Sequence, residues 1–169
     1  LLLSGAKIIS MKGDEIIENA DLLIRDNRIA EVGRKGSFSI LKGTRKIDIS
    51  GKVLMPGIID VHAHFPHPQD VLEPISPFTY SNLAYGTTTV RDPQSPAQIF
   101  LYKELIQAGE AIGPRIFSTG PGLFPFDQLD SYEKVKERLE IYANRYQTHL
   151  IKSYMIGNRQ KREWIIEAC

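Results

Sequence analysis

The run Pro56-Gly57-Ile58-Ile59-Asp60-Val61-His62-Ala63-His64-Phe65 constrains this chain more than any other stretch of it. A Pro-Gly break followed by branched apolar residues reads as a buried strand of a parallel sheet. Side chains alternate along a strand, so Asp60, His62 and His64 share one face while Ile59, Val61, Ala63 and Phe65 share the other. Two imidazoles can then converge on one metal ion. An isolated His-x-His in a loop is usually a coincidence of polar surface residues, but this pair closes an apolar strand, and that context points to metal ligation.

The strand is the first of a series. From Met55 onward, strand-like runs over 57–64, 87–91, 115–119 and 150–154 alternate with helical apolar spacing over 76–85, 96–109 and 132–146. A fourth helix starts at Asn158 and continues to Cys169. This alternation predicts an α/β fold, a parallel sheet with helices outside it. Within 96–109, Ile99, Leu101, Tyr102, Leu105 and Ile106 form the predicted buried stripe, and Pro96 suits a first helical turn. Residues 1–54 differ. Short apolar runs over 6–11, 21–25, 28–32 and 46–49 are separated by Lys12-Gly13-Asp14, Asp26-Asn27 and the glycine-bounded stretch 33–36, which is hairpin chemistry and predicts a small antiparallel β-module.

Three stretches beyond the histidine strand carry a family resemblance. The first strand follows the pattern Pro-Gly-(Leu/Ile/Phe)-Ile-Asp-x-His-x-His, and Leu83-Ala84-Tyr85-Gly86-Thr87-Thr88-Thr89-Val90-Arg91-Asp92-Pro93 resembles the second strand of the same family. Gly113-Pro114-Arg115-Ile116-Phe117-Ser118-Thr119-Gly120 resembles the third. With Leu150-Ile151-Lys152-Ser153-Tyr154-Met155 and Trp164-Ile165-Ile166-Glu167-Ala168, the set resembles the amidohydrolase superfamily, and within it the members that follow a TolB-like β-propeller. No propeller is present in these residues. The resemblance implies a partial (β/α)8 TIM-type barrel over 55–169, its first four or so βα units, preceded by part of a small β-sandwich over 1–54. A complete barrel usually needs about 250 residues. At 169 residues, with Leu1 at its start, the chain reads as an N-terminal fragment.

In such barrels the active site lies at the C-terminal ends of the strands. His62 and His64 are the metal ligands expected there, with imidazole nitrogens that suit zinc, manganese or iron. Asp60 lies one step deeper on their face and is expected either to orient an imidazole N–H or to pack inside the barrel. Lys152 shares a face with Leu150 and Tyr154 in the fourth expected strand, opposite His149, Ile151 and Ser153. A lysine facing inward loses its proton readily, and the free amine can add carbon dioxide to become a carbamate. The resemblance implies that this carbamate bridges two metals, whereas a surface or ion-paired lysine is the alternative reading of Lys152. His67, in the Pro-rich loop after the first strand, would touch substrate or solvent; Arg91, Asp92 and Tyr154 sit at strand ends and would line the pocket. His149 reads as structural. The family's remaining ligands, two histidines from strands five and six and a strand-eight aspartate that takes the proton, fall beyond Cys169, so no catalytic base is assigned.

Composition bounds the rest. The chain is 42% hydrophobic and 24% charged, an ordinary globular balance. Its 21 basic and 20 acidic residues are interspersed, giving a net charge of +1 and no electrostatic case for nucleic acid or a membrane surface. Cys169 is the single cysteine, which excludes an intrachain disulfide or a cysteine-based zinc cluster. No apolar run is long enough to span a bilayer as a helix.

The resemblance therefore implies hydrolysis of an amide-type C–N bond, in a small-molecule or dipeptide-like substrate, by water activated at a binuclear centre with zinc as the default ion. A mononuclear deaminase or deacetylase on the same fold, with Lys152 unmodified, is the alternative. A non-catalytic scaffold, or a truncated half that needs a partner, is the reading from another class. An open parallel sheet with apolar edges is also expected to self-associate, which adds a homo-oligomer to the expected partners. The propeller-linked relatives imply a periplasmic or exported protein, other amidohydrolases a cytoplasmic one.

Overall fold

The computed structural model describes residues 1–65 and 76–169 and divides into two compact units, Leu1–Pro56 and Gly57–Cys169. His67 lies outside the described residues.

The first unit is one sheet built from β1 (Leu2–Ile9), β2 (Ile16–Arg25), β3 (Arg28–Arg34), β4 (Lys46–Asp48) and β5 (Val53–Leu54). β1 and β2 pair antiparallel with Leu2 opposite Leu23 and Ile9 opposite Ile16. The β2–β3 hairpin turns on Asp26 and Asn27, whose φ values of 47° and 57° are the left-handed pair that a two-residue hairpin demands. The sheet is not wholly antiparallel as expected. β4 and β5 both run parallel to β1, because the segment after β3 carries the chain back to the far edge of the sheet. β1 begins within the stretch Leu1 to Gly5, which reads as strand in the sequence, and continues into the apolar run over 6–11. Leu2, Ser4, Ala6 and Ile8 alternate into the interior, and Ala6 and Ile8 pack there with Ala20 and Leu22. At Gly5 the backbone has φ 89°, a left-handed conformation that favours glycine, and a Cβ there would displace the Ser50 hydroxyl.

The second unit alternates strand and helix: β6 (Ile58–Asp60), α1 (Pro77–Ala84), β7 (Thr87–Asp92), α2 (Gln98–Ala108), β8 (Arg115–Ser118), α3 (Tyr132–Asn144) and α4 (Arg159–Ala168). The three strands form a parallel sheet in the order β6-β7-β8. Pro77 opens α1, where its missing N–H costs no hydrogen bond. Ser131 and Asn158 cap α3 and α4 by accepting the backbone N–H groups of Lys134 and Lys161. One core joins Ala63, Phe65, Val90 and Ile116 to Ile99 and Tyr102 of α2; a second joins Leu123, Leu129 and Ile156 to α3 and α4 through Val135, Leu139, Tyr142 and Ile165. Tyr142 donates its hydroxyl to the Pro121 carbonyl, and burial pushes its pKa up to about 12.

Three expectations for this unit are corrected. Leu101 leaves the buried stripe of α2 at 42% exposure: one residue before Tyr102, it is turned about 100° around the helix from the buried line. The first strand is not buried on both faces. It is the edge of the sheet, its ladder stops at Asp60, and Ile59 and Val61 are 61% and 65% exposed. The fourth expected strand, 150–154, is reduced to a single parallel bridge between Ser153 and the loop residue Leu123. Leu123 donates its N–H to the Lys152 carbonyl at 2.8 Å and accepts from the Tyr154 N–H at 2.9 Å. Positive φ angles at Gln147 and Met155 bend the chain on either side, so no longer ladder forms.

Candidate functional site

The chain bends after Asp60 but stays fastened to β7, since the Ala63 N–H donates to the Arg91 carbonyl at 3.0 Å. That bond preserves the alternation predicted for this stretch. Ala63 and Phe65 turn into the core against α2, while His62 and His64 turn out together with their ring centres 5.1 Å apart. Asp60 places its carboxylate on the backbone N–H of His62 at 2.9 Å, holding the bend rather than an imidazole N–H.

Both imidazoles open into a cleft of about 360 Å³ whose other lining residues are Gln94, Phe124, Lys152 and Tyr154. Lys152 and Tyr154 reach it because the bridge at Ser153 keeps strand-like alternation over these three residues, with Ile151 packed on the core behind. Lys152 is not sealed in an interior. It is half-buried, with Nζ 5.5 Å from the centre of the Tyr154 ring. Phe124 stacks on Phe126 at 5.2 Å and meets Tyr154 edge-on at 6.0 Å.

Arg91 and Asp92 do not line this cleft. Asp92 follows Val90 by two residues and so points to the covered side of the sheet, where it is fully buried. Its Oδ2 accepts from the Ser118 hydroxyl at 2.7 Å, its Oδ1 accepts from the Gln94 N–H at 3.3 Å, and Oδ1 lies 3.8 Å from His64 Nδ1. His64 Nδ1 in turn contacts the Gln94 carbonyl at 3.2 Å. His149 borders a separate cavity of about 240 Å³ beside α3 and α4. Among the described residues no three His, Cys, Asp or Glu side chains gather around a common point. His62 and His64 are thus a pair of donors that Lys152 faces across the cleft. Gln94 and Phe124 were not foreseen: the first sits in a loop whose course no pattern reveals, and the second follows a Gly-Pro-Gly turn that gives no direction.

No family model matches the chain. Curated relatives do: the chain is 31% identical over 100 residues to an adenine deaminase of Paracoccus denitrificans, covering 59% of this chain and 16% of that one. It is 33% identical over 129 residues to an adenine deaminase of Deinococcus deserti, covering 74% and 22%. A crystal structure described as an amidohydrolase superposes with a TM-score of 0.67 at 21% identity, over 90% of this chain and 46% of that one. The chain belongs to the amidohydrolase superfamily. It spans about a fifth of the length of the curated relatives it matches. Its parallel β6-β7-β8 sheet with attendant helices is the α/β arrangement of this superfamily's TIM-barrel-type fold.

Proposed function

We propose that this chain contributes the first-strand metal ligands and a lysine to an enzyme that uses metal-activated water to hydrolyse C–N bonds, other than ordinary peptide bonds, in small-molecule substrates. The observation that carries this reading is the convergence of His62, His64 and Lys152 on one cleft from segments far apart in sequence. Residues 55–169 would form the first four or so βα units of the barrel, and residues 1–54 part of the accompanying sandwich.

The donor set fits a divalent ion. Two exposed imidazoles line the cleft edge to face, with ring centres 5.1 Å apart, and would supply two of the four donors that zinc takes. Such an ion, when bound, brings the pKa of water to about 7 and polarises the bond under attack. The protein's part is orientation: the Gln94 carbonyl fixes the His64 ring, and the Asp60 carboxylate fixes the backbone that carries His62. For a second ion, Lys152 would serve as a carbamate. Its neutral Nζ attacks the carbon of carbon dioxide, one N–C bond forms, one C–O π bond yields its electron pair to oxygen, and the proton on nitrogen leaves to solvent.

A second reading keeps Lys152 as an ammonium and the centre mononuclear, as in a deaminase. Its support is the position of Nζ beside the Tyr154 ring, which suits a cation. Metal content and intact mass measured without acid, with and without bicarbonate, separate the two. Two ions per chain and a mass gain of one carbon dioxide on Lys152 support the bridged centre. One ion and an unmodified lysine support the deaminase-like centre. If zinc binds no better to the wild-type chain than to His62→Ala, both readings fail.

A further inference from the structure

We propose that Asp92 is a positioning residue which, acting through the backbone of Gln94, fixes His64 as the Nδ1–H tautomer and turns its Nε2 lone pair toward the cleft. The inference rests on the reading of His64 as a metal ligand, but it concerns a proton whose place can be measured without any metal.

A carbonyl oxygen only accepts hydrogen bonds. The 3.2 Å contact between Gln94 O and His64 Nδ1 therefore requires the proton of the neutral ring to sit on Nδ1, leaving Nε2 as the donor of a lone pair. The question is what holds that carbonyl in place, since Gln94 lies in a loop. Asp92 does so directly, because its Oδ1 accepts the N–H of the same residue two positions on, closing a turn of the kind aspartate favours. The turn is then clamped by the loop after β8. Thr119 donates its N–H to the Asp92 carbonyl at 3.0 Å and its hydroxyl to the Pro93 carbonyl at 2.6 Å, and Ser95 donates its N–H to the Gly120 carbonyl at 3.1 Å.

Asp92 also acts through space. A fully buried carboxylate is costly unless it is hydrogen-bonded, and this one is satisfied by two neutral donors, the Ser118 hydroxyl and the Gln94 amide. Its Oδ1 stands 3.8 Å from Nδ1, where a negative oxygen favours a proton on that nitrogen over a bare lone pair. Ser118 completes the device. Its hydroxyl donates to Asp92 and accepts the Gly120 N–H at 2.9 Å, while its carbonyl accepts the Thr148 hydroxyl at 2.8 Å. The end of β8 and the start of the segment that carries Lys152 are thereby tied to the same anchor as His64.

The test uses the full chain with its histidine ring nitrogens isotope-labelled. NMR of the metal-free protein, well above the ordinary histidine pKa of about 6.5, reads the tautomer, and chelator competition reads zinc affinity. Wild type should show His64 with its proton on Nδ1. Asp92→Asn keeps the size but removes the charge and replaces one acceptor by a donor; it should move His64 toward a mixture of tautomers and weaken zinc about 10–100-fold. Ser118→Ala should act in the same direction more weakly, and it keeps the test decisive should the asparagine chain fail to fold. A wild-type His64 protonated on Nε2, or both variants retaining the wild-type tautomer and affinity, would overturn the proposal. If Asp92→Asn mixes the tautomers while wild type binds zinc no better than His62→Ala, the positioning role stands and the metal-ligand reading falls. If zinc needs His62 and ignores both Asp92→Asn and Ser118→Ala, the reverse holds.

Discussion

In residues 1–56 most of the sheet is organised by neighbours in sequence, whereas in residues 57–169 the groups placed for chemistry come from segments that meet only after the chain has folded. β1, β2 and β3 follow one another through tight connections, and a two-residue turn with left-handed φ angles sets one register. In the second unit, His64 finds Gln94 across 30 positions, Ser118 finds Asp92 across 26, and Ser153 pairs with Leu123. The difference teaches where each unit is vulnerable. Local turns should govern the stability of the first, and long-range packing the geometry of the second.

The largest expected effect comes from opening the core beneath the second sheet. Ile116 is buried against Val90, Ile99 and Tyr102, and Ile116→Ala should cost about 2–5 kcal/mol through lost burial and the cavity left behind. Hydrogen exchange should report that loss in β7, β8 and α2 while leaving the amides of β1 and β2 as they were. Equal deprotection of both units would break the comparison.

Two glycines sharpen it. A Cβ on Gly57 would overlap Thr88 Oγ1 and Cγ2 and stand 2.7 Å from Thr88 Cβ, so Gly57→Ala must push the start of β6 away from β7. Overpacking of this kind costs about 1–3 kcal/mol. Because β6 leads directly into the histidine pair, zinc affinity should fall as well, and adding Thr88→Gly should restore it. Gly5→Ala meets Ser50 and a left-handed backbone, and should cost a comparable amount of stability in the first unit with no change in zinc affinity. Calorimetry paired with zinc titration of the three variants checks both claims. Loss of zinc binding in Gly5→Ala would show the units to be coupled.

The same contrast explains what the sequence revealed. The order of strands and helices after Met55 was legible because apolar periodicity switches between two residues and three to four, although β6 itself spans only three residues. The outward turn of His62 and His64 was legible from alternation alone, since Ala63 and Phe65 took the other side. The fourth strand was not. Leu150 to Tyr154 has strand composition, but its partner is a loop residue, and pairing partners leave no trace in a single segment. Asp92 was misplaced for a related reason: its parity with Val90 already pointed it into the covered layer, yet its place at a strand end suggested the pocket. In the first unit, apolar runs and hairpin signals located β2, β3 and, at 46–49, β4, but they did not reveal β5 or that both β4 and β5 join β1 in parallel after a longer excursion.

A smaller effect tests the turn that makes the first unit local. Asn27 holds φ 57° between β2 and β3, a conformation that a β-branched residue resists by about 1–2 kcal/mol. Asn27→Val should lower the stability of the first unit by that order, and Asn27→Gly should raise it slightly, because Asp-Gly suits this turn best. Opposite signs in a urea titration followed in β2 and β3 are the expected outcome, and equal small losses would mean that the turn does not set the register.

The smallest effect lies beside Gly5. Asp48 accepts both the hydroxyl and the backbone N–H of Ser50, at 2.6 and 2.9 Å, and these bonds hold its carboxyl below the ordinary aspartate range. A carboxylate depressed in the folded state adds stability above its unfolded pKa, and that contribution is lost as pH falls through the depressed folded value. Ser50→Ala removes the hydroxyl donor, so the Asp48 pKa should rise toward its ordinary value in a carbon-detected NMR titration. Acid unfolding of the first unit should then begin at a slightly higher pH. The tautomer of His64 should not respond, because the Ser50–Asp48 pair belongs to the locally organised unit and the anchor of His64 to the other. A shift at His64 would mean that the division at Pro56 and Gly57 does not insulate the cleft.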